Sequence, residues 1–255
     1  MSYINNFPFV SYKFGNNEKP VAFQNISVYA DVIDQIKDNV NTYQDYTVLE
    51  NMRPDQVSFE LYGITNYYWT FYILNDKLRE QGWPLSQADL VEQAKKDFSG
   101  TTLVTATNLV NDQLTATGAV RDKFVVGSAV QGQSSAVTGV IKKINYDLGQ
   151  VIVEGSKSFT AGETILLSSD VNVSFVATNV TAEHLSIHHY EDGNNNYVDL
   201  VGSDGVVDIT GGASNTAITQ LDRYVKQNDN LKQIKILRPG VAGGIVDALL
   251  TAISE

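Results

Sequence analysis

Tyr46–Leu85 reads YTVLENMRPDQVSFELYGITNYYWTFYILNDKLREQGWPL, and far downstream Leu231–Pro239 reads LKQIKILRP. In the first stretch Tyr46 and Val48 alternate with Asp45 and Thr47, the pattern of a short half-buried strand. Pro54 suits the first turn of a helix, where its missing N–H costs nothing. Val57 and Leu61 lie one turn apart on that helix. Gly63 is placed for the left-handed position after it, with Ile64 folding back as the apolar cap. Asn66 is the expected N-cap of a second helix. On that helix Tyr68 stacks with Tyr72 and Trp69 with Ile73, and Asn75 is expected to end it in the same left-handed way. The downstream stretch is one strand, Gln233–Leu237, stopped by Arg238-Pro239-Gly240. A lone strand before two helices makes no sheet, so a distant strand has to pair with it. The expected fold is therefore α+β: a βααβ module with flanking helices, whose strands around Val48 and Ile236 are separated by a large insert.

Working outward, Ser86 reads as an N-cap with Asp89 three residues on, and Leu85 faces Leu90 as a hydrophobic staple. That helix ends near Phe98, before Gly100. From Thr101 to Val180 helical periodicity gives way to Val, Thr, Ile, Ser and Gly. Candidate strands are Leu103–Val110, Phe124–Val126, Ser135–Asn145, Gln150–Glu154, Thr164–Ser168 and Val173–Thr178, punctuated by glycines. This is the pattern of a small all-β barrel or sandwich. A hairpin is expected from Ile187–Tyr190 and Tyr197–Val201 around a polar turn at 192–196, then a loop with a short strand at Val206–Ile209. Ile218, Leu221 and Val225 predict a helix over Thr216–Asn228. Upstream, Val28, Val32, Ile36 and Val40 put one stripe on a helix. Residues 7–14 alternate aromatics with polar residues around Pro8. They read either as an edge strand or as an arm laid on a neighbouring subunit. The segments are thus 1–44, arm and helix; 45–100, first part of the module; 101–180, β-rich insert; 181–230, hairpin, loop and returning helix; 231–255, closing strand and C-terminal helix.

Bulk composition narrows the function. Eighteen Lys and Arg against 29 Asp and Glu give a net charge of −11, which argues against a phosphate-binding surface. Hydrophobic residues make up 43%, enough for a packed core and too many for a disordered chain. The chain holds no Cys, which removes disulfides and thiolate metal sites. The first residues, MSYINNFPFVSYKFG, carry no basic segment before an apolar run, so no signal peptide is expected. No apolar run is long enough to span a bilayer.

Catalytic patterns are sparse. His184, His188 and His189 cluster and invite a metal reading. Adjacent residues on a strand point to opposite faces, however, and no helical H-E-x-x-H is present. No G-x-S-x-G, P-loop or G-x-G-x-x-G occurs. Gly211-Gly212-Ala213 ahead of a helix reads as a flexible loop. Glu191 and Asp192 read as a surface acidic turn rather than as a glycosidase pair. Of the aromatics at 67–72, Trp69 is assigned to the core. The tyrosines suit either core or a half-wet interface. No cofactor and no catalytic or metal-binding residue is expected.

The module resembles the LysM fold, a βααβ unit that binds peptidoglycan. More closely, RPDQVSFELYG, the YYWTFYILND run, GWPLSQADLVEQA and the late LKQIKIL strand before a terminal helix are together similar to baseplate wedge proteins of contractile-tailed, T4-like phages of the gene-53 type. HHYEDGNNNYVDL is similar in style to that family's middle hairpin. The β-rich stretch 101–180 departs from the family's short form. The resemblance implies a non-enzymatic structural subunit of the virion, made in the host cytoplasm and placed in the tail baseplate. Its implied partners are core-bundle wedge proteins, the sheath-initiating subunit, neighbouring wedges and the hub, with no nucleic acid or membrane. Candidate interface anchors are Phe7, Phe9, Tyr12 and Phe14 in the arm, Tyr67, and Ile245, Leu249 and Leu250 in the terminal helix. The alternative reading is a peptidoglycan-binding module of a tail-associated protein. Its groove would border Asn51, Met52 and Arg53, and the loop on its other side is replaced by the insert.

Overall fold

A computed structural model describes residues 9–13, 19–24, 41–105, 123–200 and 214–254. The helix expected over 27–40, the strand expected at 206–209 and Gly211–Ala213 lie outside them, as do Phe7 and Phe14. By their contacts the residues form two units, 1–86 with 227–255, and 87–226.

In the first unit, strand β3 (Tyr43–Thr47) pairs antiparallel with β13 (Gln233–Leu237), Thr47 opposite Gln233 and Gln44 opposite Ile236. The Val48 N–H continues the ladder onto the Lys232 carbonyl at 2.8 Å. The two distant stretches thus meet on one sheet, as the lone-strand argument requires. Ile234 and Ile236 point inward while Gln233 and Lys235 face out, the period-2 alternation of a one-sided strand. Helix α1 (Pro54–Tyr62) begins on its proline, and the Arg53 N–H is taken by the Gln56 side chain at 2.9 Å. Gly63 sits at φ 68° and closes the helix by donating to the Phe59 carbonyl, as its position predicts.

Three local expectations fail here. Ile64 does not fold back but stays 44% exposed, because its carbonyl is drawn to the Ser58 hydroxyl at 2.6 Å. Asn66 is not an N-cap. It lies in a 3₁₀ turn, Thr65–Tyr67, that runs straight into helix α2 (Trp69–Leu74), so no separate cap is used. Asn75 is extended (φ −126°, ψ 101°) rather than left-handed, because a further short helix, α3 (Asp76–Gln81), starts at once. Val57, Phe71, Leu78, Leu231, Ile234 and Ile236 form the main core. Phe71 stacks toward Tyr62 and tilts against Trp83. On the other side of the sheet's end, Leu74 and Leu237 pack with Ala242 and Val246 of helix α6 (Pro239–Ser254).

The second unit opens with helix α4 (Gln87–Asp97), which starts directly after Ser86 as predicted. Its β-rich part is one sheet in the order β10-β4-β7-β6-β5-β8-β9. The strands are β4 (Thr101–Val104), β5 (Ala129–Gly132), β6 (Thr138–Asn145), β7 (Gln150–Val153), β8 (Thr164–Leu167), β9 (Asp170–Val176) and β10 (Asn179–Ala182). Among the described residues no strand pairing closes it into a barrel, although its two edges, β9 and β10, are successive runs joined by Ala177 and Thr178. Residues 106–110 of the expected first strand lie outside the described set. Phe124–Val126 is not a strand: Phe124 is a fully buried plug, edge-on to Phe175 with centroids 5.0 Å apart. Leu103, Val130, Ile141, Val151, Val153 and Ile165 complete this core. Gly139 is obligatory in β6, since a Cβ there would fall 2.2 Å from the Val153 Cγ1.

The expected hairpin and helix after residue 186 are rearranged. Strand β11 (Ile187–Glu191) pairs with β12 (Thr216–Thr219), leaving Tyr197 a single bridge to Glu191. The run Thr216–Thr219 is rich in β-branched residues and pairs as a strand rather than opening a helix. Helix α5 (Gln220–Lys232) starts after it, set by a capping box in which the Thr219 hydroxyl accepts the Asp222 N–H and Asp222 accepts the Thr219 N–H. The polar turn at 192–196 does form, with the Asp192 carboxylate accepting the N–H groups of Asn194 and Asn196.

Candidate assembly surface

Strand β1 (Phe9–Tyr12) pairs antiparallel with β2 (Val21–Gln24), Phe9 opposite Gln24 and Tyr12 opposite Val21. Every residue of β1 is exposed. Phe9 is 73% and Tyr12 61% exposed, and Val10 and Val21 are exposed too. A ribbon of two strands is marginal by itself, and the described side chains of this one, all of β1 with Val21 and Ala22, stand exposed. Tyr67 sits differently. It is half-buried, tilted against Tyr62 at 5.8 Å, with its N–H on the Ser58 hydroxyl. Ile245 and Leu250 are also half-buried, packed beside Leu74 and Val246. The side chain of Leu249 is outside the described set. Among the described residues the anchors proposed from sequence fall into two kinds: Phe9 and Tyr12 stand out, while Tyr67, Ile245 and Leu250 already serve the unit's own core.

Other apolar side chains are exposed that the sequence reading did not name as anchors. Phe59 on α1 is 61% exposed, with Leu49, Ile64 and Tyr68 also open. Phe59 carries a readable signal: Val57 and Leu61 define the inward stripe, and Phe59 lies between them on the opposite face.

The stretch that would border a LysM-type groove is occupied. Asn51 is left-handed at φ 63°, and the Met52 carbonyl accepts the Trp83 indole N–H at 2.7 Å. Trp83 in turn packs on Tyr72 and Phe71. Near the α2–α6 contact only a 10 Å³ apolar cavity remains, lined by residues such as Trp69, Ile73 and Val246. In the second unit an open groove of 570 Å³ runs along Thr138–Val140 and Glu154–Lys157, with Glu154 as the carboxylate on its wall. Among the described residues no group of three or more His, Cys, Asp or Glu is placed to hold a metal, and no helix is long and apolar enough to cross a membrane.

Two sequence expectations about charged residues are corrected. His188 and His189 do not diverge: the β11–β12 register shifts between Ile187 and His189, and this bulge brings the two rings together, Nδ1 to Nδ1 at 2.8 Å. Glu191 is not a surface acid but 8% exposed, held by His189 and Lys226.

The hairpin, the β3 strand and helices α1 to α4 all fall within residues 6–102, which match the model of the family described as base plate wedge protein 53. This defines a structural component of a phage virion, in the tail baseplate. The match is to the wedge, and a wedge protein associates with other baseplate proteins. No curated protein matches the chain.

Proposed function

We propose that the chain is a non-catalytic assembly subunit that holds baseplate wedge components together around the hub through protein–protein contacts. The exposed Phe9, Val10, Tyr12 and Val21 side chains on the β1–β2 ribbon carry this reading: an apolar two-stranded ribbon gains stability when a partner covers it. The proposed partners are core-bundle wedge proteins, the sheath-initiating subunit and the adjoining wedge. In this reading residues 45–100 and 231–255 form the LysM-like module and 101–180 its inserted β-rich domain. Several modest contacts made at once suffice, because each bound neighbour raises the effective concentration of the next. The tie between Trp83 and Met52 favours a protein clamp over a peptidoglycan groove. The lone carboxylate on the Thr138–Lys157 groove favours a structural role over glycoside hydrolysis, which needs a facing pair.

Sedimentation of the purified protein, alone and with the other wedge subunits, tests the reading. The expected result is a monomer that joins a larger complex only with partners, and loses that ability on Phe9→Ser with Tyr12→Ser while its melting curve is unchanged. A tight homo-oligomer alone, or full incorporation of the double variant, would overturn it. Retention on insoluble peptidoglycan that is lost on Trp83→Ala would turn the assignment to the glycan-binding alternative.

A further inference from the structure

Side chains of β11 and α5 form a continuous chain of hydrogen bonds with a fixed proton order. The Glu191 carboxylate accepts from Lys226 Nζ at 2.8 and 3.0 Å, and His189 Nε2 lies 3.1 Å from its Oε1. His189 Nδ1 meets His188 Nδ1 at 2.8 Å, and His188 Nε2 faces the Arg223 guanidinium at 3.5 Å. Ionised Glu191 can only accept, so His189 Nε2 carries a proton. In a neutral ring its Nδ1 is then an acceptor, so His188 must donate from Nδ1. That leaves His188 Nε2 bare, and guanidinium, which only donates, is the partner such a nitrogen needs. One pair of neutral tautomers satisfies every link.

We propose that this histidine pair is an acid-sensitive latch that fastens helix α5 to the β11–β12 hairpin when both rings are neutral and releases it when either gains a proton. A proton on His188 Nε2 points at Arg223. A proton on His189 Nδ1 points at the His188 N–H, and turning His188 to its other tautomer again aims a proton at Arg223. No protonated arrangement keeps all the bonds. The surroundings reinforce this. Arg223 of α5 and Lys143 of β6 bring two cations to bear on His188, while Lys226 of α5 is paired with the carboxylate Glu191. The Tyr197 ring covers His189 face to face at 5.5 Å. Burial first, then Arg223, His189 and Lys143, hold His188 below the usual imidazole range. Such a group adds stability that is complete above its unfolded value and lost as pH falls through its folded one. The latch therefore opens on acidification.

Amide hydrogen exchange of the full chain, corrected for intrinsic rates and followed from about pH 7.5 to about pH 5, tests the latch across the range where histidine titrates. Protection in β11 and β12 should fall by about tenfold or more while the β6–β7 ladder of the same unit keeps its protection. Ring-nitrogen NMR at neutral pH should show the proton on Nδ1 of His188 and on Nε2 of His189. The variant His188→Asn with His189→Gln should lose the pH dependence. Equal loss in both ladders, the opposite tautomers, or an unchanged pH profile in the variant would each overturn the proposal. The wild-type ladder comparison and the tautomers stand even if that variant does not fold.

Discussion

The two units solve the same problem by opposite means. The unit of residues 1–86 and 227–255 has a sheet of two strands, and these come from either side of the insert. Pairs such as Thr47 with Gln233 are 186 residues apart. Residues 87–226 build a seven-stranded sheet in which half of the pairings join neighbours in sequence, β5 on β6, β6 on β7 and β8 on β9. The cost of closing a long loop grows only with the logarithm of its length, so a large insert is cheap to carry once the helices supply enough buried surface. The buried polar groups differ too. The first unit buries Ser58, Thr70 and Asn228, all neutral. The second buries Glu163, Glu183 and Glu191. One unit leans on aromatic packing around a short sheet, and the other ties its loops and helices with charge.

Both tryptophans, Trp69 and Trp83, lie in the first unit, so their fluorescence reports that unit while far-ultraviolet dichroism reports both. This separates the largest expected effects. Phe71→Ala empties a fully buried site and should destabilise the first unit by about 3–5 kcal/mol. Its fluorescence midpoint should drop while the strand-dominated dichroism signal of the other unit survives. Phe175→Ala should do the reverse by a similar amount. If each variant moved both signals together, the two units would be one cooperative body and the contrast would be wrong.

A smaller effect sharpens the picture of the two-stranded sheet. Its β13 strand has β3 on one side, and on the other the Asn75 side chain acts as a one-residue strand. Asn75 accepts the Lys235 N–H at 2.8 Å and donates to the Lys235 and Phe71 carbonyls at 2.7 and 2.8 Å. Asn75→Ala should cost about 2 kcal/mol by stranding these backbone groups. It should lower only the fluorescence midpoint, with Asn75→Asp recovering the accepted bond but not the donated ones. No change on Asn75→Ala would show that solvent replaces the amide freely.

The role of Asn75 also marks where the sequence stopped being readable. The strand pairing could be inferred because a solitary strand is physically untenable, and Pro54 and Gly63 fixed α1 through backbone chemistry that does not depend on context. Asn66 and Asn75 suit several local jobs equally, and what settled them was tertiary: a 3₁₀ turn running on into α2, and a strand edge 160 residues away. Thr216–Thr219 fits a helical stripe and a strand alike, and the presence of β11 decided for the strand. His188 and His189 were misjudged because alternation assumes an unbroken ladder, and a bulge is invisible without its partner. On the candidate surface, the arm aromatics were legible from composition. The half-buried state of Tyr67, Ile245 and Leu250 was not, since an apolar stripe does not say which neighbour it meets.

The smallest effect tests the charged half of the comparison. The Glu163 carboxylate accepts N–H bonds from Ser134, Ser135 and Thr160 and a hydroxyl bond from Ser135, at 2.6 to 3.1 Å. It thereby joins the turn after β5 to the loop before β8. Burial pushes its pKa up, but the bonds from the Ser135 N–H, the Thr160 N–H, the Ser135 hydroxyl and the Ser134 N–H together hold it below the usual glutamate range. A carboxyl depressed in the folded state contributes stability that is present above its unfolded value and disappears as pH falls through the folded one. Dichroism should therefore report loss of the second unit between about pH 5 and pH 3, ahead of any change in tryptophan emission. Glu163→Gln removes the ionised acceptor, so it should weaken the second unit at neutral pH and flatten part of that acid slope. The part that remains belongs to Glu191, which Lys226 and His189 hold low, with Asp97, held low by Gln93 and Tyr224, and Asp192, held low by Asn196 and Asn194. If Glu163→Gln left the acid slope intact, or if tryptophan emission changed first, charge would not be what distinguishes the second unit from the first.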